Sequence, residues 1–349
     1  MSIPTTARKY ILPTLGSYNN LVLTDVTVPK PKPNEVLLKA HAVSLQYRDL
    51  LVATDRYPGG DMPANLIPCS DVAGEIVAIG EDVKGWKVGD RVCPNFMLEK
   101  LHGDHTTPAI AATALGGAVD GTLTEYRTYP ASSLVKIADH LTYEEASTLP
   151  CAALTAYNAL IAGYEPLKAG DTVLILGTGG VSIFGLQFAL ASGATVIVTS
   201  SSDEKLKVAT KLGAHHVINY KTNTKWDEEV LRLTNGVGVD HVIEVGGNGT
   251  LMQSVNSIRM GGSISIVGFV GGNTPPPDLI ALFIWKSLKI RGLYVGSVQQ
   301  FADMNRLMAV NQAVTRPVVD KVFPFEDAKA AYAYLESQAH VGKVVIKVN

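Results

Sequence analysis

The sequence contains few cysteines. Cys69, Cys93 and Cys151 are the three in a chain of 349 residues, too few for a disulfide framework or a four-cysteine zinc site. Such sparse cysteine usage is typical of a reducing compartment. We therefore expect a cytoplasmic protein.

The sequence also lacks long hydrophobic runs and an excess of charge of either sign. Its apolar stretches are interrupted by glycine or polar residues well before the roughly 18 residues that span a membrane, and its first ten residues hold no apolar run of signal length. Thirty Lys and Arg residues against 32 Asp and Glu residues give a net charge of −2. A general attraction for nucleic acid or anionic lipid is therefore not expected, and small molecules are the expected partners.

The residues that are present suit a large folded protein. Hydrophobic residues make up 46% of the chain and charged residues 18%, which is enough to build a core. At roughly 150 residues per domain, the length predicts about two domains. A single small binding module is therefore not expected.

The rhythm of the sequence changes near Leu149 and again near Leu293. Before Leu149, short β-rich runs such as Val36–Ala42 and Val72–Ile79 follow one another with turn residues between them. After it, apolar strands alternate with helix-length segments, beginning with the strand Val173–Leu176 and the helix Val181–Ala191. Six such strands predict an α/β fold with a doubly wound, six-stranded parallel sheet of the Rossmann type.

A glycine-rich turn joins the first of these strands to the first helix. It carries Gly177, Gly179 and Gly180, followed by Val181, and Ser182 takes the place of the usual third glycine. Glycines let backbone N–H groups approach phosphates, and the helix N-terminus adds partial positive charge. The turn therefore predicts a pyrophosphate site, and the alternative is a glycine-rich turn of another α/β fold.

The end of the second strand indicates which dinucleotide binds. An NAD site has an Asp or Glu there to accept the ribose hydroxyls, whereas this chain has Ser200, Ser201 and Ser202. Without that carboxylate a 2′-phosphate is not repelled, and the hydroxyls together with Lys205 can donate to it. We predict NADPH. The alternative is that Lys205 is a solvated lysine and that Ser202 only caps the next helix.

The chain resembles the medium-chain dehydrogenase/reductase superfamily, and within it the zinc-independent branch of quinone-oxidoreductase-like and enoyl-reductase-like enzymes. The motifs that carry the resemblance extend over nearly the whole chain; they are Asp71–Val77, Trp86–Val92, Gly121–Tyr126, the turn at Gly177 and Leu212–Ala214. The resemblance implies a GroES-like, β-rich catalytic domain formed by residues 1–150 and 295–349, and a nucleotide-binding domain formed by residues 151–294.

The resemblance also implies which residues would meet a metal or the cofactor. Zinc enzymes of this superfamily hold their catalytic metal at positions that here are Ser44, Ser70 and Cys151. With one thiolate among the three, we predict no metal, and we expect Cys151 to be a small buried residue. The residues that the resemblance places near the cofactor, besides those of the phosphate turn and the serines, are Thr155, Tyr220, Gly246, Phe269, Val270, Leu293 and Val295.

Without zinc, a conjugated acceptor is easier to reduce than an isolated ketone, because modest donors suffice to hold its oxygen. Tyr47 is the candidate proton donor; the alternative is that Tyr47 packs and that Arg48 pairs with Asp49. We predict an NADPH-dependent reductase of an enone, an enal or a quinone. A zinc-free carbonyl reductase and a nucleotide-sensing protein remain as alternatives.

A second copy of the chain is also an expected partner. Ser287–Val295 is an apolar run that would otherwise form an exposed sheet edge. The run and the resemblance together predict a homodimer in which late strands pair across a twofold axis.

Overall fold

The computed structural model describes residues 3–58, 62–271 and 278–348. The chain divides into two compact units. One consists of Met1–Leu154, Gly296–Val310 and Arg316–Asn349, and the other of Thr155–Val295 and Asn311–Thr315. We refer to them as the first and second units.

The strands are distributed over three sheets in the described residues. In chain order they are β1 (Thr6–Ile11), β2 (Val22–Thr27), β3 (Glu35–Ser44), β4 (Asp71–Ile79), β5 (Arg91–Pro94), β6 (Tyr126–Pro130), β7 (Leu134–Lys136), β8 (Thr172–Leu176), β9 (Thr195–Ser200), β10 (His216–Asn219), β11 (Val239–Glu244), β12 (Ile258–Ile266), β13 (Lys289–Gly292), β14 (Val319–Pro324) and β15 (Lys343–Lys347).

The helices flank the sheets or connect their strands. They are α1 (Tyr47–Ala53), α2 (Pro108–Ala111), α3 (Tyr143–Ala146), α4 (Leu154–Leu160), α5 (Gly180–Ala191), α6 (Asp203–Lys211), α7 (Trp226–Leu233), α8 (Leu251–Ser257), α9 (Ile280–Trp285), α10 (Val298–Val310) and α11 (Ala328–Glu336). A π-helical segment, Leu149–Ala153, runs directly into α4. No helix in the described residues is both long enough and apolar enough to cross a membrane.

The first unit is built on a seven-stranded sheet. Its strand order is β14, β15, β3, β4, β5, β7, and β6 also pairs with β3; the pairs are antiparallel except β14 with β15. The register pairs Ser44 of β3 with both Asp71 of β4 and Val345 of β15. The end of β3 and the beginnings of β4 and β15 therefore converge, and polar residues there become neighbours.

The second unit contains the predicted six-stranded parallel sheet, in the order β10, β9, β8, β11, β12, β13. Alternate strand residues enter two apolar clusters: Val173 and Ile175 of β8 belong to one, and Leu174 and Leu176 to the other. Both faces are thus covered, as the continuous apolar strands predict. The order reverses between β8 and β11, the point at which ligands bind in sheets of this kind.

Two elements depart most from the sequence pattern, which predicts a strand over Ser263–Val267 and a helix over Phe325–Ala339. β12 begins at Ile258 rather than at Ser263. Gly261, with φ of +70°, and Gly262 interrupt the pattern, and the pairing register shifts there. The helix predicted from Phe325 begins instead with a 3₁₀ turn, Phe325–Asp327, before α11.

Candidate functional site

The glycine turn of the second unit forms an open cradle at the N-terminus of α5. Gly177 has φ of +76°, a conformation that favours glycine, and its N–H donates to the carbonyl of Thr199 at 2.8 Å. Gly179 precedes α5, and a Cβ added there would meet no atom within 4 Å. The N–H groups of Gly180 and Val181 begin the helix beside this space. Such an arrangement fits a pyrophosphate.

The helix behind the turn explains why a serine replaces the third glycine. The hydroxyl of Ser182 donates to the carbonyl of Leu176 at 2.7 Å, so this side chain ties the helix to the end of β8. The close approach of helix and sheet occurs instead at Gly185, where an added Cβ would lie 2.6 Å from Cδ1 of Ile243. This role of Gly185 was not predicted from the sequence; the available signal was a glycine within an apolar helix.

Uncharged residues occupy the end of β9, where an NAD site would have a carboxylate. Ser200 is buried and Ser201 is half-buried. The carbonyl of Ser200 accepts a hydrogen bond from the N–H of Tyr220 at 3.0 Å, which places this partly exposed tyrosine beside the serines. Lys205, half-buried, lies in the first turn of α6. Ser202 precedes α6 as predicted, but within the described residues its side chain makes no capping hydrogen bond.

A carboxylate just beyond the end of β9 was not considered in the prediction from sequence. Asp203 is the first residue of α6, and its Oδ1 accepts a hydrogen bond from Nδ2 of Asn219 at 2.7 Å. It lies beyond the end of β9 and is engaged with β10. Asp203 is therefore placed to hold two chain segments together.

The ends of β11, β12 and β13 are joined by backbone hydrogen bonds. The N–H of Val270 donates to the carbonyl of Val245 at 3.1 Å, and that of Leu293 donates to the carbonyl of Ile266 at 3.0 Å. Gly246 is buried, whereas Phe269 and Val270 are exposed over about half of their surface. These predicted cofactor residues thus share one edge of the sheet.

A buried carboxylate that the sequence analysis missed shapes this edge. Glu244 ends β11 with no exposed surface, and its Oε1 accepts the N–H groups of Gly246 at 2.7 Å and Gly247 at 3.0 Å. The hydroxyl of Thr250 donates to the same oxygen at 2.6 Å. A glutamate at the end of an apolar strand was the available signal, because a buried charge needs such partners.

Thr155 and Val295 complete the predicted cofactor residues of the second unit. Thr155 lies in α4 and is 5% exposed, and its hydroxyl has no hydrogen-bond partner among the described residues. Val295 is also 5% exposed and has φ of +54°. A β-branched residue rarely adopts this left-handed conformation.

In the first unit, Tyr47 begins α1. Its half-buried ring packs against the hydrophobic core, and its hydroxyl has no hydrogen-bond partner in the described part of the chain. Arg48 does not pair with Asp49 by a hydrogen bond, contrary to the alternative considered from sequence. Its Nη1 donates to the carbonyl of Leu115 at 2.8 Å, and its guanidinium lies 4.9 Å from the ring centres of Tyr57 and Phe96.

The carboxylate of Asp71 joins three segments of the first unit. It has no exposed surface. Its Oδ2 accepts hydrogen bonds from Nε2 of Gln46 at 2.6 Å and from the N–H of Cys151 at 2.9 Å. Its Oδ1 accepts a hydrogen bond from the hydroxyl of Ser70 at 2.6 Å. Lys343, 4% exposed, donates from Nζ to the carbonyl of Leu45. We call these residues the Asp71 cluster. No role for the side chain of Asp71 or Lys343 was predicted from the sequence.

Burial dominates the ionisation of this cluster. It raises the pKa of Asp71 to about 6, although the charge of Lys343 and the three hydrogen bonds oppose the shift. It raises the pKa of the neighbouring Asp49 to about 7, against the charge of Arg48 and a hydrogen bond from the N–H of Gln46. Burial lowers the pKa of Lys343, and the charge of Asp71 opposes this change. Each charge therefore depends on its neighbours.

Of the three positions that the resemblance relates to zinc ligands, Ser70 and Cys151 belong to this cluster, and Ser44 pairs with Asp71 across the sheet. The hydroxyl of Ser44 lies 3.5 Å from the carbonyl of Val344, and that of Ser70 is engaged with Asp71. Cys151 is half-buried rather than buried, and burial together with the charge of Asp71 raises the pKa of its thiol. No three His, Cys, Asp or Glu side chains come together as a metal site in residues 3–58, 62–271 and 278–348.

Comparisons with known proteins cover both units. Residues 32–139 match the GroES-like domain of alcohol dehydrogenases, and residues 180–310 match the zinc-binding dehydrogenase family. A zinc-type alcohol dehydrogenase-like protein of Schizosaccharomyces pombe is 47% identical over 96% of this chain and 97% of its own length. An acryloyl-coenzyme A reductase of Metallosphaera sedula is 30% identical over 95% of this chain and 97% of its own.

Solved structures are similar to this chain over nearly its full length. A structure described as an alcohol dehydrogenase of Sinorhizobium meliloti 1021 has a TM-score of 0.90 and 37% identity, covering 99% of this chain and all of its own. An NAD-dependent alcohol dehydrogenase has a TM-score of 0.86 and 30% identity, covering 98% of this chain and 100% of its own. A mycobacterial protein complexed with NADPH has a TM-score of 0.80 and 28% identity, and it covers the same shares of the two chains. The chain belongs to the medium-chain dehydrogenase/reductase superfamily of oxidoreductases.

Proposed function

We propose that this oxidoreductase uses NADPH, works without zinc, and reduces a conjugated carbonyl compound, an enone or an enal, or a quinone. The observation that carries the proposal is the Asp71 cluster, which includes Ser70 and Cys151, two of the three positions that the resemblance relates to zinc ligands. The first unit would be catalytic, and the second would bind the dinucleotide. A cytoplasmic location remains a prediction from cysteine usage.

The side chains around Asp71 do not fit a catalytic zinc ion. Zinc is held by thiolate, imidazole or carboxylate ligands in tetrahedral geometry, whereas Ser44 and Ser70 offer neutral hydroxyls. The one thiol, Cys151, is disfavoured as a thiolate by burial and by the charge of Asp71. The buried ammonium of Lys343 would in addition repel a divalent cation. We therefore derive no catalytic step through a metal.

The second unit fits a dinucleotide. The open cradle at Gly179 and the first N–H groups of α5 suit the pyrophosphate, and Ser200, Ser201, Lys205 and Tyr220 suit the adenosine end. Related structures include both an NAD-dependent enzyme and an NADPH complex. Membership of the superfamily therefore does not select the cofactor, and the uncharged end of β9 supports NADPH.

A conjugated acceptor suits a site that has hydrogen-bond donors but no strong Lewis acid. Bound NADPH would supply the hydride. A conjugated substrate accepts it at carbon while only modest hydrogen bonding stabilises the carbonyl oxygen of that substrate. Tyr47 supplies a hydroxyl with no protein partner among the described residues, so it can donate to that oxygen. The relative that reduces acryloyl-coenzyme A acts, by its name, on a conjugated thioester, which supports this substrate class.

The test is a substrate screen with protein whose zinc content has been measured. NADPH oxidation is followed with enones, enals, quinones and saturated ketones, before and after treatment with a chelator. The proposal is supported if conjugated substrates are turned over and the chelator does not change the turnover rate. Preferential reduction of saturated ketones would favour the second candidate, a zinc-free carbonyl reductase; the alcohol dehydrogenase-like names of relatives support its carbonyl chemistry and not its lack of zinc. Binding of NADPH without turnover would favour a nucleotide sensor, and stoichiometric zinc would refute the metal-free assignment.

We also propose that the chain forms a homodimer through the edge of the parallel sheet. β13 ends the strand order, and an edge strand offers unpaired backbone groups to a second copy. Neighbouring α9 exposes Ile280, Ile284 and Trp285 over 67%, 75% and 78% of their surface. Light scattering at micromolar concentration should give twice the chain mass, and a monomer mass throughout would contradict this arrangement.

A further inference from the structure

Val295 is held in an unfavourable backbone conformation at the ligand-binding edge of the parallel sheet. Its φ is +54°, its side chain is buried, and it follows the carboxyl end of β13 by three residues. Left-handed conformations of β-branched residues cost free energy and persist only where the surroundings enforce them. Some neighbouring group must therefore hold this residue.

Asn158 is that neighbour. It lies in α4 with no exposed surface, and its Nδ2 donates to the carbonyl of Val295 at 2.7 Å. The hydrogen bond is made to the backbone, so it constrains the peptide that follows Val295 whatever the side chain there. Loss of the donor would leave a buried carbonyl without this partner.

Arg291 fixes the orientation of the Asn158 amide. Its Nη2 donates to Oδ1 of Asn158 at 2.8 Å, its Nη1 donates to the main-chain carbonyl of the same residue at 3.1 Å, and its guanidinium carbon lies 5.5 Å from the centre of the Tyr164 ring. A guanidinium can only donate, so the amide oxygen must point toward it and Nδ2 must point away. That direction leads to Val295.

We infer that Asn158 is a positioning residue, oriented by Arg291, that keeps Val295 in its left-handed conformation. The backbone of residues 293–295 is thereby preset before a ligand arrives, and binding does not have to order it. The claim about the conformation of Val295 stands on the hydrogen bonds alone. The claim that this segment receives the nicotinamide end of NADPH rests on the proposed function.

The test measures the Asn158 interaction in two backgrounds. Asn158→Asp keeps an acceptor for Arg291 but replaces the donor to Val295 by a carboxylate oxygen and adds a negative charge, whereas Asn158→Ala removes both contacts and adds no charge. Each is made in the wild-type chain and with Val295→Gly, because glycine adopts positive φ without strain. Hydrogen exchange of residues 293–297 is recorded without cofactor, and NADPH dissociation constants are measured separately.

In the wild-type background, we expect Asn158→Asp to speed exchange in this segment and to weaken NADPH binding, each roughly tenfold or more. In the Val295→Gly background both effects should be severalfold smaller. Asn256→Ala serves as the matched control, since Asn256 is a partly buried amide of the same unit that donates to Asp227. Its effects should be equal in the two backgrounds.

The two claims fail in different ways. Equal effects of Asn158→Asp in both backgrounds, or unchanged exchange of residues 293–297, would overturn the positioning role. Wild-type protein that binds no NADPH would refute the proposed function, and the exchange cycle would still decide the role of Asn158. Altered exchange with unaltered NADPH affinity would overturn the assignment of this segment to the cofactor.

Discussion

The two units organise their polar groups in opposite ways. Around Asp71 the first unit buries carboxylates and an ammonium group, and side chains tie its segments together. At its sheet edge the second unit uses glycine and backbone groups, and its one fully buried carboxylate in the contacts described above, Glu244, caps a turn. Buried charges make a site rigid but sensitive to the loss of one partner. Backbone sites tolerate most side-chain changes unless the changed residue meets the ligand.

The largest expected effect comes from breaking the Asp71 cluster. Asp71→Asn removes the charge that most offsets the burial of Lys343, so we expect the free energy of unfolding to fall by about 3 to 5 kcal/mol. Adding Lys343→Met should restore part of the loss, since the uncompensated ammonium is then removed. Denaturant titration of the single and double variants measures both effects. Additive losses would show that the two charges do not depend on each other.

The next effect concerns catalysis rather than stability. Tyr47→Phe should lower turnover by roughly 10²-fold, a typical loss for a general acid, while the NADPH dissociation constant stays unchanged. Steady-state kinetics and a binding titration separate the two quantities. Unchanged turnover would return Tyr47 to a packing role and leave solvent as the proton source.

A pH titration distinguishes the buried carboxylates from exposed ones. Burial raises the pKa of Asp49 from 3.8 to about 7, so between these values the folded state binds more protons than the unfolded state. The stability that Asp49 contributes is thus full below about pH 4 and is lost as the pH rises through about 7. Relative to Asp49→Asn, the wild type should lose about 2 to 4 kcal/mol between pH 4 and pH 8.

Asp90→Asn is the matched control for this titration. Asp90 also accepts the N–H of the residue three positions earlier, Lys87, but in an exposed turn. Its variant therefore reports the loss of such a hydrogen bond without burial. A difference curve for Asp49→Asn that does not fall with rising pH would contradict the burial argument.

The smallest effect tests the choice of cofactor. Lys205→Ala should weaken NADPH binding roughly tenfold and leave NADH binding nearly unchanged, because a charge-assisted contact to the 2′-phosphate is lost. Lys207→Ala is the control, since Lys207 is exposed and paired with Glu204 at 2.6 Å. Equal affinity of the wild type for NADPH and NADH would overturn the assignment.

Local patterns were sufficient to predict much of the second unit. Each strand of its sheet is a short apolar run next to a helical segment, and the glycine turn signals its own place between β8 and α5. The predicted cofactor residues follow from that order, because the strand ends of a parallel sheet meet at one edge. The sequence predicted only the last part of β12, because Gly261 and Gly262 interrupt the apolar pattern near its beginning.

The sequence by itself determined the superfamily, the parallel sheet and the glycine turn, since these depend on residues close together in the chain. Tertiary structure alone decided two of the three hydrogen-bond partners of Asp71, Gln46 and Cys151, which lie 25 and 80 residues away. It also decided the contact of Asn158 with Val295, 137 residues away. Hydrogen bonds and burial between distant segments leave no periodic signal, because they depend on how strands and helices are brought together in the fold.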